Sequence, residues 1–181
     1  MRIDPTRLLT QGLLDEAQID ELLAPIGFVE ARVAHARLLS IARDAAHRDA
    51  FASSLPMLLS ALTNAATPDS SVMNLERLVQ AVPDSLALLE FLSGNPRAVD
   101  ILIRLFVGSQ YLTEIVLRKP EYVALLTQHR RLAEFKARED FRAHAEETLL
   151  NITGIEDRLN TLRRFQHWEL LRIGACDLFS L

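Results

Sequence analysis

Residues 75–126 read LERLVQAVPDSLALLEFLSGNPRAVDILIRLFVGSQYLTEIVLRKPEYVALL, and their punctuation decides the fold. Leu75, Leu78, Val79 and Val82 recur at helical spacing and stop at Pro83-Asp84. Leu86, Leu89, Phe91 and Leu92 form the next stripe, closed by Gly94. Asn95-Pro96 opens a helix bearing Val99, Leu102, Ile103 and Phe106, since a first-turn proline lacks only a donor that the helix leaves unpaired anyway. Gly108 is expected in the left-handed position that ends a helix, and Ser109 as the cap of the next. Pro120 starts a last short segment with Tyr122, Leu125 and Leu126. Helices this short are marginal alone because nucleation is costly, so they hold by packing on one another. The pattern predicts an all-α fold: an irregular multi-helix bundle of short helices plus two or three longer ones.

Upstream, Asp4-Pro5 and Asp15 start two short helical pieces, with Ile19, Leu22 and Leu23 on one side of the second. Residues 28–46 read as one long helix, with Ala34, Leu38, Ile41 and Ala45 opposite Arg32, Arg37, Arg43 and Asp44. Ser54 reads as a fresh N-cap, with Pro56 in the first turn. Thr67-Pro68 and Asp69-Ser70-Ser71 read as a break before Met73.

After Gln128 the chemistry changes. Leu132, Phe135, Phe141, Ala145 and Leu149 are apolar positions of an arginine-rich helix, with Lys136-Asp140 and Arg142-Glu146 as i,i+4 pairs. Thr153 and Glu156 form a capping box before a helix whose inner side is Leu159, Leu162, Phe165, Trp168, Leu171, Ala175 and Leu178. This divides the chain into an array of short helices (1–128) and a pair of long arginine-rich helices (129–181), which also read as one continuous domain. Apolar residues continue to Leu181, so the chain is expected to be a piece of a larger protein, its Trp168, Leu171 and Leu178 stripe partly uncovered.

The 181 residues, 49% apolar and 24% charged, suffice for a core without staples. The single cysteine excludes a disulfide framework within the chain and suits a reducing compartment. A net charge of -4 argues against nucleic acid as a partner. No apolar run approaches the roughly eighteen residues of a membrane helix. The amino terminus lacks a signal-peptide core, and the cytoplasm is the expected location.

Little in the chain reads as chemistry. His35, His47, His129, His144 and His167 show no metal-ligand spacing and read as solvated or core-edge imidazoles. Cys176 reads as a small buried hydrophobe. Glu139-Asp140 and Glu146-Glu147 are adjacent pairs that do not converge. The cluster that stands out is basic: Arg158, Arg163, Arg164, His167 and Arg172, with Arg130, Arg131, Arg138 and Arg142 upstream. It is a candidate interdomain face or anion contact, and Glu156, Asp157, Glu169 and Asp177 balance it. No catalytic, cofactor-binding or metal-binding residue is assigned.

Three phrases carry a family resemblance: LPMLLSAL (55–62), the stretch 74–126, and LRRFQHWELLRIGACDL (162–178). In this order they resemble the amino-terminal helical region of bacterial glutamine synthetase adenylyltransferase, also called glutamate–ammonia ligase adenylyltransferase. The resemblance implies a two-headed nucleotidyltransferase. One half removes AMP from a tyrosine of glutamine synthetase by phosphorolysis, and the other attaches it from ATP. It further implies Mg2+ and ATP/ADP as cofactors, and glutamine synthetase, a PII-type signal protein and the remaining domains as partners. The family's paired-Asp metal motif would follow the third phrase, and none of its ligands falls within residues 1–181. Where the family has RRFRRRE, this chain has Arg163, Arg164, Phe165, Gln166, His167, Trp168 and Glu169, with two basic residues replaced. The chain by itself is therefore expected to be inactive, a non-catalytic helical part that scaffolds the adenylyl-removing domain. The alternative is a stand-alone helical interaction module.

Overall fold

The computed structural model describes residues 4–128, 132 and 135–179. Among them every regular element is helical, as the spacing predicts. A 3₁₀ helix, Pro5–Leu9, is followed by α1 (Glu16–Leu23), a 3₁₀ turn (Ala24–Ile26), α2 (Ala31–Ile41), α3 (Ala45–Thr63) and α4 (Pro68–Ala81). Then come α5 (Ser85–Gly94), α6 (Pro96–Gly108), α7 (Gln110–Arg118), α8 (Tyr122–Leu126), α9 (Arg138–Leu149) and α10 (Ile155–Phe179). Backbone packing divides the chain into two units, Met1–Val123 and Ala124–Leu181, with the boundary inside α8.

In the first unit α3 is the central strut, packed against α5 and α6, while α2 lies on α4 and α4 on α7. Its core is aliphatic: Leu38, Leu55, Leu62, Leu78, Leu89, Leu102 and Leu105 are almost completely buried, with Phe51 among them. Local signals set most helix starts. The Asp15 carboxylate accepts the Gln18 N–H at 2.9 Å while the Gln18 side chain accepts the Asp15 N–H at 3.0 Å. Asp84 and Ser109 cap α5 and α7 through Ala87 and Leu112. The start of α2 is held from outside, because the Asp69 carboxylate of α4 accepts the N–H groups of both Val29 and Glu30 at 3.0 Å.

Several boundaries differ from the sequence reading. The helix expected over 28–46 stops at Ile41, because Asp44 turns extended and caps α3 through the His47 N–H at 3.0 Å. That helix then runs through Pro56 without a new start. Ser54 is no cap; its hydroxyl bonds back to the Phe51 carbonyl at 3.0 Å. Pro56 sits on the exposed side, and the burial of Phe51, Leu55, Leu58 and Leu59 on both sides of it keeps the helix whole. Pro68 is a first-turn residue of α4, so the polar run 69–71 is helical. Gly108 is the last helical residue of α6 and is not left-handed; Ser109, extended at φ −157, ends that helix and begins α7. Gly27 (φ +100) does use the left-handed region, ending the 3₁₀ turn before α2.

In the second unit α9 packs on α10. Leu132 and Phe135 precede α9 instead of lying on it, and Phe135 is exposed. The Asp140 carboxylate accepts the Ala137 N–H at 2.8 Å, which takes it away from the expected Lys136 pair. Arg142 does pair with Glu146, at 2.8 Å. The α10 helix starts one residue after Gly154, whose carbonyl takes the Arg158 N–H, so Thr153 lies outside the cap position. Leu171 and Ala175 are fully buried as expected, but Leu159 is largely exposed, and Trp168 and Leu178 are half-buried. The expected stripe is thus partly uncovered at Trp168 and Leu178 but not at Leu171, and the most exposed apolar residues of α10 among those described are Ile155, Leu159, Leu170 and Ile173.

Candidate functional site

The basic cluster of α10 does not form one face. Arg163 and Arg172 lie nine residues apart, about two and a half helical turns, which puts them on opposite sides. Arg163 and Arg164 are exposed and reach along their own helix, to Asn160 Oδ1 at 3.0 Å and Thr161 Oγ1 at 2.8 Å. His167 is half-buried near them. On the other side, Arg158 donates to the Ile152 carbonyl at 3.2 Å, holding the turn between α9 and α10. Arg138 and Arg142 are exposed on α9, while Arg130 and Arg131 lie outside the described residues.

Arg172 is the exception, because it is internal. Its side chain is 6% exposed and donates to Glu169 Oε2 at 2.8 Å and to the Leu132 carbonyl at 2.9 Å. The other Glu169 oxygen takes the Lys136 ammonium at 2.5 Å, with side-chain exposures of 9% for Lys136 and 7% for Glu169. Cys176 Sγ, one turn further on, donates to the same Leu132 carbonyl at 2.9 Å. Lys136 Nζ also lies 5.9 Å from the Phe141 ring centroid. One carboxylate thus holds two buried cations, and one carbonyl joins α10 to the segment before α9. Chemically this is a closed clamp, with no carboxylate oxygen or thiol left pointing at a substrate.

A second polar network, in the first unit, was not legible in the sequence. His47 Nδ1 is 2.9 Å from the Asp44 carboxylate, and His47 Nε2 is 3.0 Å from Ser85 Oγ. Arg43 Nη2 donates to that hydroxyl at 2.9 Å. The order Asp–His–Ser matches a hydrolytic triad in distance, but Ser85 is 3% exposed and its hydroxyl also receives Arg43. The network instead ties the start of α5 to the corner between α2 and α3. The two N–H bonds from His47 hold the Asp44 carboxyl below its usual pKa.

His35 is buried on α2, and its Nε2 has no hydrogen-bond partner among the described residues. Desolvation pushes its pKa below the usual 6.5, with the Leu8 backbone acting in the opposite direction. The unfolded chain therefore binds this proton more readily than the folded one. The contribution is neutral above about pH 6.5 and becomes a progressive loss of stability as the pH falls through and below that value. Urea midpoints measured at pH 7.5 and 5.5 should drop toward acid, and His35→Gln should reduce that drop; an unchanged drop would contradict this role.

No three His, Cys, Asp or Glu side chains among the described residues converge so as to hold a metal ion. The donors among the described residues thus do not gather into a Mg2+ site, and no step through a metal is assigned to them.

Comparison with known proteins finds a match between residues 99–181 and the glutamate-ammonia ligase adenylyltransferase family. The bifunctional glutamine synthetase adenylyltransferase/adenylyl-removing enzyme of Pseudomonas aeruginosa is 28% identical over 179 residues, covering 94% of this chain and 18% of the relative. That of Leifsonia xyli subsp. xyli is 27% identical over 178 residues (98% and 18%), and that of Thioalkalivibrio sulfidiphilus 27% over 129 residues (70% and 13%). The chain is thus related to these bacterial enzymes over most of its length, as the three phrases imply, and spans less than a fifth of the length of the relatives it matches. No solved structure matches it. Among the described residues, no helix is long and apolar enough to cross a membrane.

Proposed function

We propose that this chain is a non-catalytic helical region of a bifunctional glutamine synthetase adenylyltransferase/adenylyl-removing enzyme, and that it scaffolds the adenylyl-removing nucleotidyltransferase domain in the cytoplasm. The observation that carries this reading is the inward use of Glu169 and Arg172, two of the charged residues of the phrase 162–178. They are spent on Lys136, on each other and on the Leu132 carbonyl, which is a structural role. The exposed Ile155, Leu159, Leu170 and Ile173 give α10 an apolar surface against which further residues of such an enzyme can pack. On this reading ATP, ADP and Mg2+ act elsewhere in the longer enzyme, which modifies glutamine synthetase under control of a PII-type protein. The basic residues Arg163, Arg164 and His167, which share one side of α10, belong to the contact between domains, while Arg158 holds the turn before the helix.

The test is phosphorolysis of adenylylated glutamine synthetase by the isolated chain with phosphate and Mg2+. No ADP above the enzyme-free background is expected; sustained ADP release would overturn the non-catalytic reading. A stand-alone interaction module would be equally silent in this assay and is separated by the chimera described in the Discussion.

A further inference from the structure

A groove beside the start of α2 takes no part in the networks above. Phe28 forms its buried floor, Ala24 and Ala31 line it, and Val29 and Val33 stand at its edge, enclosing about 340 Å3. A narrower cleft of about 140 Å3 shares Glu30 and Val33 and continues along α2 to Met73. Val29 is 89% exposed, yet its backbone is fixed, because Val29 and Glu30 both donate to Asp69 at 3.0 Å. An aliphatic side chain held out on a pinned main chain, beside a concave apolar surface, costs a partner little ordering on binding.

The charges around the groove say what that partner is. Arg32 is paired with Glu16 at 2.9 Å, and Arg37 with Glu76 at 2.5 Å. Asp20 and Glu30 are exposed and have no side-chain partner among the described residues, so the unneutralised charge of the rim is negative. Carboxylates repel the phosphates of nucleic acids and anionic lipids, leaving a cationic polypeptide as the complementary ligand. We propose that this groove docks a basic, apolar segment of a partner protein. An aliphatic side chain of the segment packs on Phe28, Val29 and Val33, and its Lys or Arg residues pair with Asp20 and Glu30.

The test uses the full chain and two fluorescein-labelled amphipathic peptides, one of Leu and Lys and one of Leu and Glu, followed by anisotropy at low salt. The Leu–Lys peptide should bind saturably and the Leu–Glu peptide should not. Asp20→Lys with Glu30→Lys should weaken the Leu–Lys peptide by about tenfold, two rim attractions becoming repulsions, and should admit the Leu–Glu peptide. Val29→Ser with Val33→Ser, which leaves the charge untouched, should weaken the Leu–Lys peptide several-fold. All four positions are exposed, and circular dichroism of each variant confirms its fold; the single Glu30→Lys variant replaces any that does not fold. Failure of the wild-type chain to bind the Leu–Lys peptide would overturn the proposal. So would unchanged affinity after charge reversal, or indifference to the valine substitutions, which would mean diffuse attraction to an acidic surface.

Discussion

Replacing Glu169 by Ala is expected to destabilise the second unit by about 3–5 kcal/mol, because it strands two buried cations. Lys136 and Arg172 are almost fully enclosed, and Glu169 supplies the carboxylate to both. Arg172 would keep the Leu132 carbonyl, but a carbonyl dipole does not neutralise a guanidinium. Glu169→Gln preserves the shape and one acceptor, so its loss should be smaller. Removing the exposed Arg142–Glu146 pair should change stability by about 0.5 kcal/mol or less, since such pairs on a helix surface are weak. Urea denaturation monitored at Trp168 gives the size of each effect, and amide exchange in α10 gives its place. A loss below about 1 kcal/mol for Glu169→Ala would mean that the clamp does not hold α10 as described.

What was legible in the sequence was local. Asp15, Asn95-Pro96 and Ser109 mark helix starts through residues next to the boundary, and the structure places a boundary at each. Ser54 and Pro56 misled because the same residues suit a helix interior when proline faces solvent and leucines pack on both sides. Gly108 misled because a glycine can close a helix without turning left-handed. The clamp and the His47 network were not legible because their partners are distant in sequence. Lys136 and Glu169 are 33 residues apart, and His47 and Ser85 are 38 apart. No periodicity reports such a meeting. The basic cluster was visible as composition, but the helix turns its members to different sides and buries Arg172, which only the packing of α10 decides. The family resemblance survived these errors because it rests on the order of phrases and does not depend on where each helix begins.

A chimera bears most directly on the scaffold role. The residues of the Pseudomonas aeruginosa relative that match this chain, 18% of that enzyme, are replaced by the chain itself, and ADP release from adenylylated glutamine synthetase is followed with phosphate and Mg2+. A scaffold contributes fold and contacts instead of reacting groups. The chimera should therefore retain measurable removal of AMP, a deletion of the same region should lose it, and a chimera carrying Glu169→Ala should lose most of it through loss of folded enzyme. A chimera that folds and yet releases no ADP, or a deletion that works as well as the intact enzyme, would contradict the assignment.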